Sequence, residues 1–348
     1  MAPKRWAVLE RIAGPDGMWD YASIDAGRGR LYLAHGGRIS VMTLAAPHSW
    51  STLDGGRSLW HSVVPVADGR ELLATDGLAH RLVLIDAKSG REIAAIKTSG
   101  GARSRLTGKL AAYAALSDPD GLAVDSQSGQ AIVVDGGSGE VVFVDLARRA
   151  IVGRTDVGGK LEFAVTDGRG RLYVDVETAA AIAVIDIATR AVVGRIALPG
   201  CVHPQGLAYD AAGRRLVASC ANGVAEFVDT AGRLEARVPI GKGSDGVIVD
   251  EARRLAFVPS GKDGVLAIFD LRDPARVRLI ARVATEKSAR LGAVDPRTGL
   301  LYLPAARLGP PLPPAPWPSA LPGTFRVLVV GPVRTEPHAA LERKTADR

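Results

Sequence analysis

The sequence predicts an all-β protein: a seven-bladed β-propeller of four-stranded antiparallel blades, with an N-terminal strand closing the last blade. Three observations predict it. One short apolar unit recurs seven times at the period of a blade. The runs in each unit are apolar at both strand parities. The last unit runs out of strands, while one spare apolar segment precedes the first.

The first run of each unit reads DYASID at 20–25, HSVVPV at 61–66, DGLAVD at 120–125 and EFAVTD at 162–167. It continues as QGLAYD at 205–210, DGVIVD at 245–250 and RLGAVD at 290–295. Successive starts lie 40–45 residues apart, apart from one gap of 59. Second runs follow, such as RLYLAH at 30–35, RLYVDV at 171–176, RLVASC at 215–220 and LLYLPA at 300–305. Third runs include VVFVDL at 141–146, IAVIDI at 182–187 and VLAIFD at 265–270. The turns DAGRGR, DGRGR and DPRTGL place Gly, Asp and Pro where strand reversal needs positive or fixed φ. A sheet with one wet face would alternate apolar and polar residues. These runs do not, so both faces should be covered, as in stacked blades rather than a β-sandwich.

The final unit ends with FRVLVVG at 325–331. WAVLERI at 6–12 has no unit of its own, so it is expected to supply the outer strand of the last blade and remove an open edge. Two segments break the period. Residues 100–118 are long enough for a short helix, and 305–323 read as a Pro-rich loop. Either could cover a channel mouth, with Tyr113 or Trp317 on a ligand, or be surface decoration. One domain then spans 1–332, followed by a polar tail at 333–348.

Composition narrows the function. The chain has 348 residues, 47% hydrophobic and 23% charged, with 40 glycines. Length alone suggests about two domains; the repeats reduce that to one. Disordered, collagen-like and coiled-coil classes are excluded. No run approaches the roughly 18 apolar residues of a membrane span. The net charge of +7 is spread over turns, and aromatics at 5% offer few stacking platforms. Single-stranded nucleic-acid binding on a basic face is a further alternative, and the low aromatic content argues against it. The N-terminus lacks the apolar core of a signal peptide, which predicts a cytoplasmic protein if the chain is complete and an exported one if a leader has been removed. A monomer is expected.

Aligning the seven copies yields the most informative feature. The first residue of each inner strand is Asp20, His61, Asp120, Glu162, Gln205, Asp245 or Arg290. All seven are polar, and propeller symmetry puts equivalent positions on one ring around the channel. Four carboxylates, one Arg and one His predict an acidic site within a basic protein. Trp19 and Trp60 immediately precede ring residues and would wall a ligand pocket or fill space between blades. His203 lies two residues before Gln205 and would reach the same mouth. Arg103, Arg105 and Lys109 would add charge above it. His35, His48, His80 and His338 fall outside the pattern.

Two functions fit these residues. A binding propeller would hold a small ligand or a protein segment at the mouth, with Arg290, Asp20, Gln205, His203, Trp19 and Trp60 as contacts. A lyase or hydrolase would use Asp120, Glu162 or Asp245 as general base, His61 or His203 as proton shuttle, and Arg290 as an anion anchor. A divalent metal ion is a candidate cofactor, with Asp120, Glu162 and Asp245 as ligands and His61 able to join them. No P-loop, dinucleotide fingerprint, GxSxG elbow or zinc-finger spacing occurs.

Over nearly its whole length the chain resembles the bacterial YVTN-type seven-bladed propeller repeat proteins. The resemblance rests on GMWDYASIDAGRGRLYLAHG, KLEFAVTDGRGRLYVDVE, LPGCVHPQGLAYDAAGRRLVASCANG, ARLGAVDPRTGLLYLPAARLGP and PGTFRVLVVG. It implies the propeller fold and a periplasmic or secreted location, and leaves the activity open. The sequence departs from the family in lacking a leader and in the length of residues 100–118. Similar architectures include gluconolactonase-like hydrolases and virginiamycin B lyase, an analogy of fold alone.

Cys201 and Cys220 flank one predicted hairpin, around the turn at 211–214, and should meet at its open end. A disulfide there would imply an oxidising compartment. The alternative is two buried thiols; the family resemblance favours the bridge.

Overall fold

The computed structural model describes residues 5–54, 58–99, 118–273, 276–312 and 318–333. They form seven four-stranded antiparallel sheets and one two-stranded ribbon. Blades 1 to 6 are sequential meanders over 22–54, 60–97, 122–156, 161–197, 204–239 and 248–284. Blade 7 takes Ala293–Val294, Leu301–Ala305 and Arg326–Pro332 from the C-terminal part. Its outer strand is Trp6–Ala13. The expected closure is therefore present. Trp6 pairs with Pro332 and Ala13 with Arg326, in antiparallel register across a bulge between Val8 and Glu10.

Burial follows from stacking. In the second and third strands almost every residue is buried whatever its parity, as in RLYLAH and EVVFVD. Each lies between two neighbouring blades. Seven apolar clusters fill the interfaces, from Ile132–Phe143–Val174 between blades 3 and 4 to Trp19–Leu33–Tyr302–Phe325 between blades 7 and 1. The outer strands differ from the sequence expectation. Ala191–Ala197 and Arg278–Ala284 keep most residues exposed or half-buried. They sit farthest from the axis, where the blades fan apart and each has one wet face.

Inner strands approach one another so closely at the axis that glycine follows the ring residue in three copies. A Cβ at Gly121 would lie 2.7 Å from the Glu162 carbonyl oxygen, and one at Gly206 would lie 2.6 Å from the Gly246 Cα. These glycines serve close approach as well as turns.

The Pro-rich segment is not a plain loop. Leu308–Pro311 and Pro318–Ala320 form a short ribbon, paired at Leu308–Ala320 and Gly309–Ser319. So short a pairing leaves no period to read, and proline masks it further. Trp317, Tyr113, Arg103, Arg105, Lys109, His338, the expected helix within 100–118 and the tail from 334 onward lie outside the described residues. Cys201 and Cys220 form the disulfide, Cα atoms 5.4 Å apart, beside the Pro204–Cys220 pair at the hairpin's open end. Among the described residues, no helix is long and apolar enough to cross a membrane.

Removing residues 1–13 deletes the outer strand of blade 7, with Ile12 buried against Trp19 and Phe325 and Trp6 edge-on to Phe257 of blade 6 at 5.6 Å. At about 1.5–3 kcal/mol per buried large side chain, the loss should be roughly 5 kcal/mol. Thermal or urea unfolding will measure it; an unchanged midpoint would refute a stabilising role for the closure.

Candidate functional site

All seven ring residues, Asp20, His61, Asp120, Glu162, Gln205, Asp245 and Arg290, line one cavity of about 960 Å³ at the channel mouth. Trp19 and Trp60 line it too. Both indoles are also buried in inter-blade clusters, 2% and 3% exposed, so the wall and packing roles coexist. Among the described residues, neither indole Nε1–H finds a hydrogen-bond acceptor. Below the ring, Tyr21 of blade 1 and Phe163 of blade 4 meet edge-to-face across the axis at 5.1 Å. They line a second, smaller cavity of about 100 Å³ walled by inner-strand residues such as Val63, Leu122 and Ile248.

The acidic side is built on blades 1 to 3. His61 Nδ1 donates to Asp20 Oδ2 at 2.7 Å and lies 3.9 Å from Asp120 Oδ1. The backbone of Asp120 is fixed from three sides. Its N–H donates to the Val134 carbonyl at 2.9 Å. Its own carbonyl accepts from Ser62 Oγ at 3.0 Å and Thr75 Oγ1 at 2.7 Å. Burial raises the Asp120 carboxyl well above the usual range; Glu162 and Asp20 add to this, while His61 and Lys160 oppose it. Tyr21, beneath them, is raised by burial and by the charges of Asp120, Glu162, Asp20 and Asp245.

The other expected residues are already engaged. Lys160 Nζ donates to Glu162 Oε2 at 2.5 Å and also to Glu177. Burial acts to lower the Lys160 ammonium, but the two carboxylates outweigh it and keep it protonated. Burial, then the charges of Glu177 and Asp245, push Glu162 up to about 7 against the pull of Lys160. Arg290 Nε donates to Asp245 Oδ2 at 2.5 Å, and its Nη2 donates to the Trp19 carbonyl at 3.1 Å. Its guanidinium also lies over the Trp19 ring at 5.6 Å. Burial opposes the Arg290 charge, yet Asp245 and Asp20 hold it fully cationic.

His203 does not line the cavity. Its side chain is 53% exposed, with Nδ1 3.2 Å from Glu177 Oε1. It stands at the outer end of a relay from Glu177 through Lys160 to Glu162. His35 bonds Ser40, His48 bonds the Thr43 carbonyl, and His80 bonds the Asp118 carbonyl. Burial, then Arg38, lowers His35 to about 4.

For a metal ion, the expected carboxylates divide. Asp20, His61 and Asp120 offer ligand atoms all within 4.8 Å of one another, the group with that spacing among the described residues. Glu162 and Asp245 instead face cations of the chain. Imidazole with two carboxylates suits a zinc- or manganese-like divalent cation.

The ring by itself is acidic, but the cavity wall is not. Five carboxylates, at Asp20, Asp120, Glu162, Asp245 and Glu286, face five cations, at Lys160, Lys262, Lys287, Arg290 and Arg307. Lys160, Lys262, Lys287 and Arg307 lie off the ring, so aligning the inner strands misses them. A second alignment finds two of them. Two residues beyond the end of each second strand stand Gly37, Leu78, Gly137, Thr178, Asn222, Lys262 and Arg307. Cations occur there in blades 6 and 7 alone.

No protein-family model matches the sequence, and no curated protein matches it. Solved structures match its fold. A chain of the "Crystal Structure of Mitotic Checkpoint Complex" is 13% identical, with a TM-score of 0.69, over 87% of this chain and 90% of that one. The chain in "Structure of U3-55K" is 11% identical, with a TM-score of 0.74, over 93% and 98%. At such identity the likeness concerns the propeller fold alone.

Glu162 has an ordinary value of 4.5 and a folded value of about 7. The folded state therefore holds more protons across that window. This group's stabilising contribution is complete below pH 4.5 and is lost as pH rises to about 7. Glu162→Gln should flatten that segment of the stability–pH curve measured by urea unfolding. An unchanged slope would mean that Glu162 titrates normally.

Proposed function

We propose that the protein is a binding propeller that holds a small polar ligand in the channel-mouth cavity. The observation that carries this reading is the convergence of all seven ring residues, with Trp19 and Trp60 beside them, on one cavity. Its volume is at the upper end of the range for small-molecule pockets, about 300–1,000 Å³. Apolar indole faces beside oriented charged groups suit a ligand with both an apolar body and polar ends. The ribbon at the rim, through Leu308 and Pro318, would cover part of it. The quoted repeat motifs support placement among the YVTN-type propellers. The buried disulfide, 5% and 0% exposed at its two cysteines, supports an oxidising, periplasmic or secreted location.

A thermal-shift screen of small polar metabolites tests the reading. At least one should raise the melting temperature saturably, with affinity falling about tenfold or more in His61→Ala or Glu162→Gln, as expected for loss of a charge-assisted contact. Failure of every compound, or ligand affinity unchanged in both variants, would overturn it.

The second reading is a lyase or hydrolase, favoured by the Asp20–His61–Asp120 group. Asp20 orients the His61 imidazole, as an acid orients the base of a catalytic pair. Asp120 would serve as a deprotonated ligand of a bound divalent cation, which would polarise a substrate oxygen. Asp245 and Arg290 would position rather than react, because each already holds the other. Zinc or manganese should raise the melting temperature of the parent protein and leave Asp120→Asn unchanged. Equal shifts in both, or none in either, would remove the metal from this scheme.

A further inference from the structure

We infer that the cavity contains a separate oxyanion subsite, formed by Lys262, Lys287 and Arg307, that takes a carboxylate or phosphate group of the ligand. This rests on the cavity being a ligand site and adds the class and direction of what enters it.

The argument starts from which charges on the wall are already compensated. Glu162 is held by Lys160, and Asp245 by Arg290. Glu286 is held by Arg11 and Arg326. Lys160 and Arg290 are consumed in the same pairs. Among the described residues, the side chains of Lys262, Lys287 and Arg307 make no ion pair and no hydrogen bond, yet all three line the cavity. The remaining carboxylates, Asp20 and Asp120, cluster around His61 on blades 1 to 3. The uncompensated cations therefore lie on blades 6 and 7, apart from the Asp20–His61–Asp120 group on blades 1 to 3.

Backbone contacts hold the cationic segments side by side. Gly261 N–H donates to the Gly243 carbonyl at 2.8 Å, and Ser288 N–H donates to the Gly261 carbonyl at 2.7 Å. Ser288 Oγ in turn donates to the Ala306 carbonyl at 2.7 Å. The residues neighbouring Lys262, Lys287 and Arg307 are thus laced together across two blades. Three cations gathered without a counter-charge repel one another, and an oxyanion relieves that repulsion. Arg307 can offer a forked pair of donors and the lysines point charges, the combination suited to carboxylate and phosphate. The wall across the axis, with Asp120 on blade 3, would receive a hydrogen-bond donor or an ammonium group. The favoured ligand is amphoteric, entering with its oxyanion toward blades 6 and 7.

Calorimetric titration with inorganic phosphate and, separately, with citrate tests the subsite. At least one should bind saturably, and its identity separates phosphate from carboxylate chemistry. The Lys262→Ala/Lys287→Ala/Arg307→Ala variant should lose that binding by about tenfold or more. Its melting temperature should hold, because these side chains are exposed and make no internal bond. A control that removes three exposed arginines from strand-connecting turns outside the cavity wall, Arg149→Ala/Arg169→Ala/Arg214→Ala, should bind as the parent does. No saturable binding of either probe, or equal loss in both variants, would overturn the subsite. If a ligand found in the metabolite screen binds the cavity triple variant unchanged, the subsite fails while the pocket stands.

Discussion

The structure depends on a ring that must close. Six blades complete themselves from consecutive residues, but the seventh lacks a strand until Trp6–Ala13 pairs with Arg326–Pro332. Without that pairing, blade 7 would present an open edge and its contacts with blades 6 and 1 would lose their outer support. With it, every blade has two neighbours, and every second and third strand can be apolar on both faces. The composition follows from this topology: abundant Val, Ile, Leu and Ala in short runs, with glycine at the turns and at the axis.

Closure also creates the site. Inner strands converge so tightly that Gly121 and Gly206 tolerate no side chain, and the residue preceding each of these glycines is directed to the channel mouth. Water is partly excluded there, so charges must find partners nearby. Lys160 joins Glu162 to Glu177, Arg290 joins Asp245 to the Trp19 carbonyl, and Asp20 takes His61. Among the described residues, no such cation is in hydrogen-bond contact with Asp120, and burial favours its protonated form. Tyr21 and Phe163 floor this polar layer and separate it from a smaller apolar cavity below.

The seven-copy alignment made much of this legible. Ring membership is a periodic property: residues at one repeat position occupy one height around an axis, so Asp20, His61, Asp120, Glu162, Gln205, Asp245 and Arg290 could be named together. The cysteine pair was legible for a similar reason, because a hairpin brings residues equidistant from its turn into contact. Lys160, Lys287 and the Pro-rich ribbon were not. The first two sit in blade-to-blade connections whose lengths vary, which blurs the register. The ribbon pairs too few residues to leave a pattern.

By itself, then, the sequence determined blade number, closure, the ring and the meeting of the two cysteines on one hairpin, since each follows from strand period and local chain reversal. Only the tertiary structure decided which charges neutralise one another. Arg290 reads as a free anchor in sequence and is committed to Asp245 in space, while Lys262 and Arg307, which the inner-strand alignment passes over, stand on the cavity wall without an ion pair among the described residues. Ion pairing depends on distances between side chains from different blades, a few ångströms either way, and no repeat period carries that information.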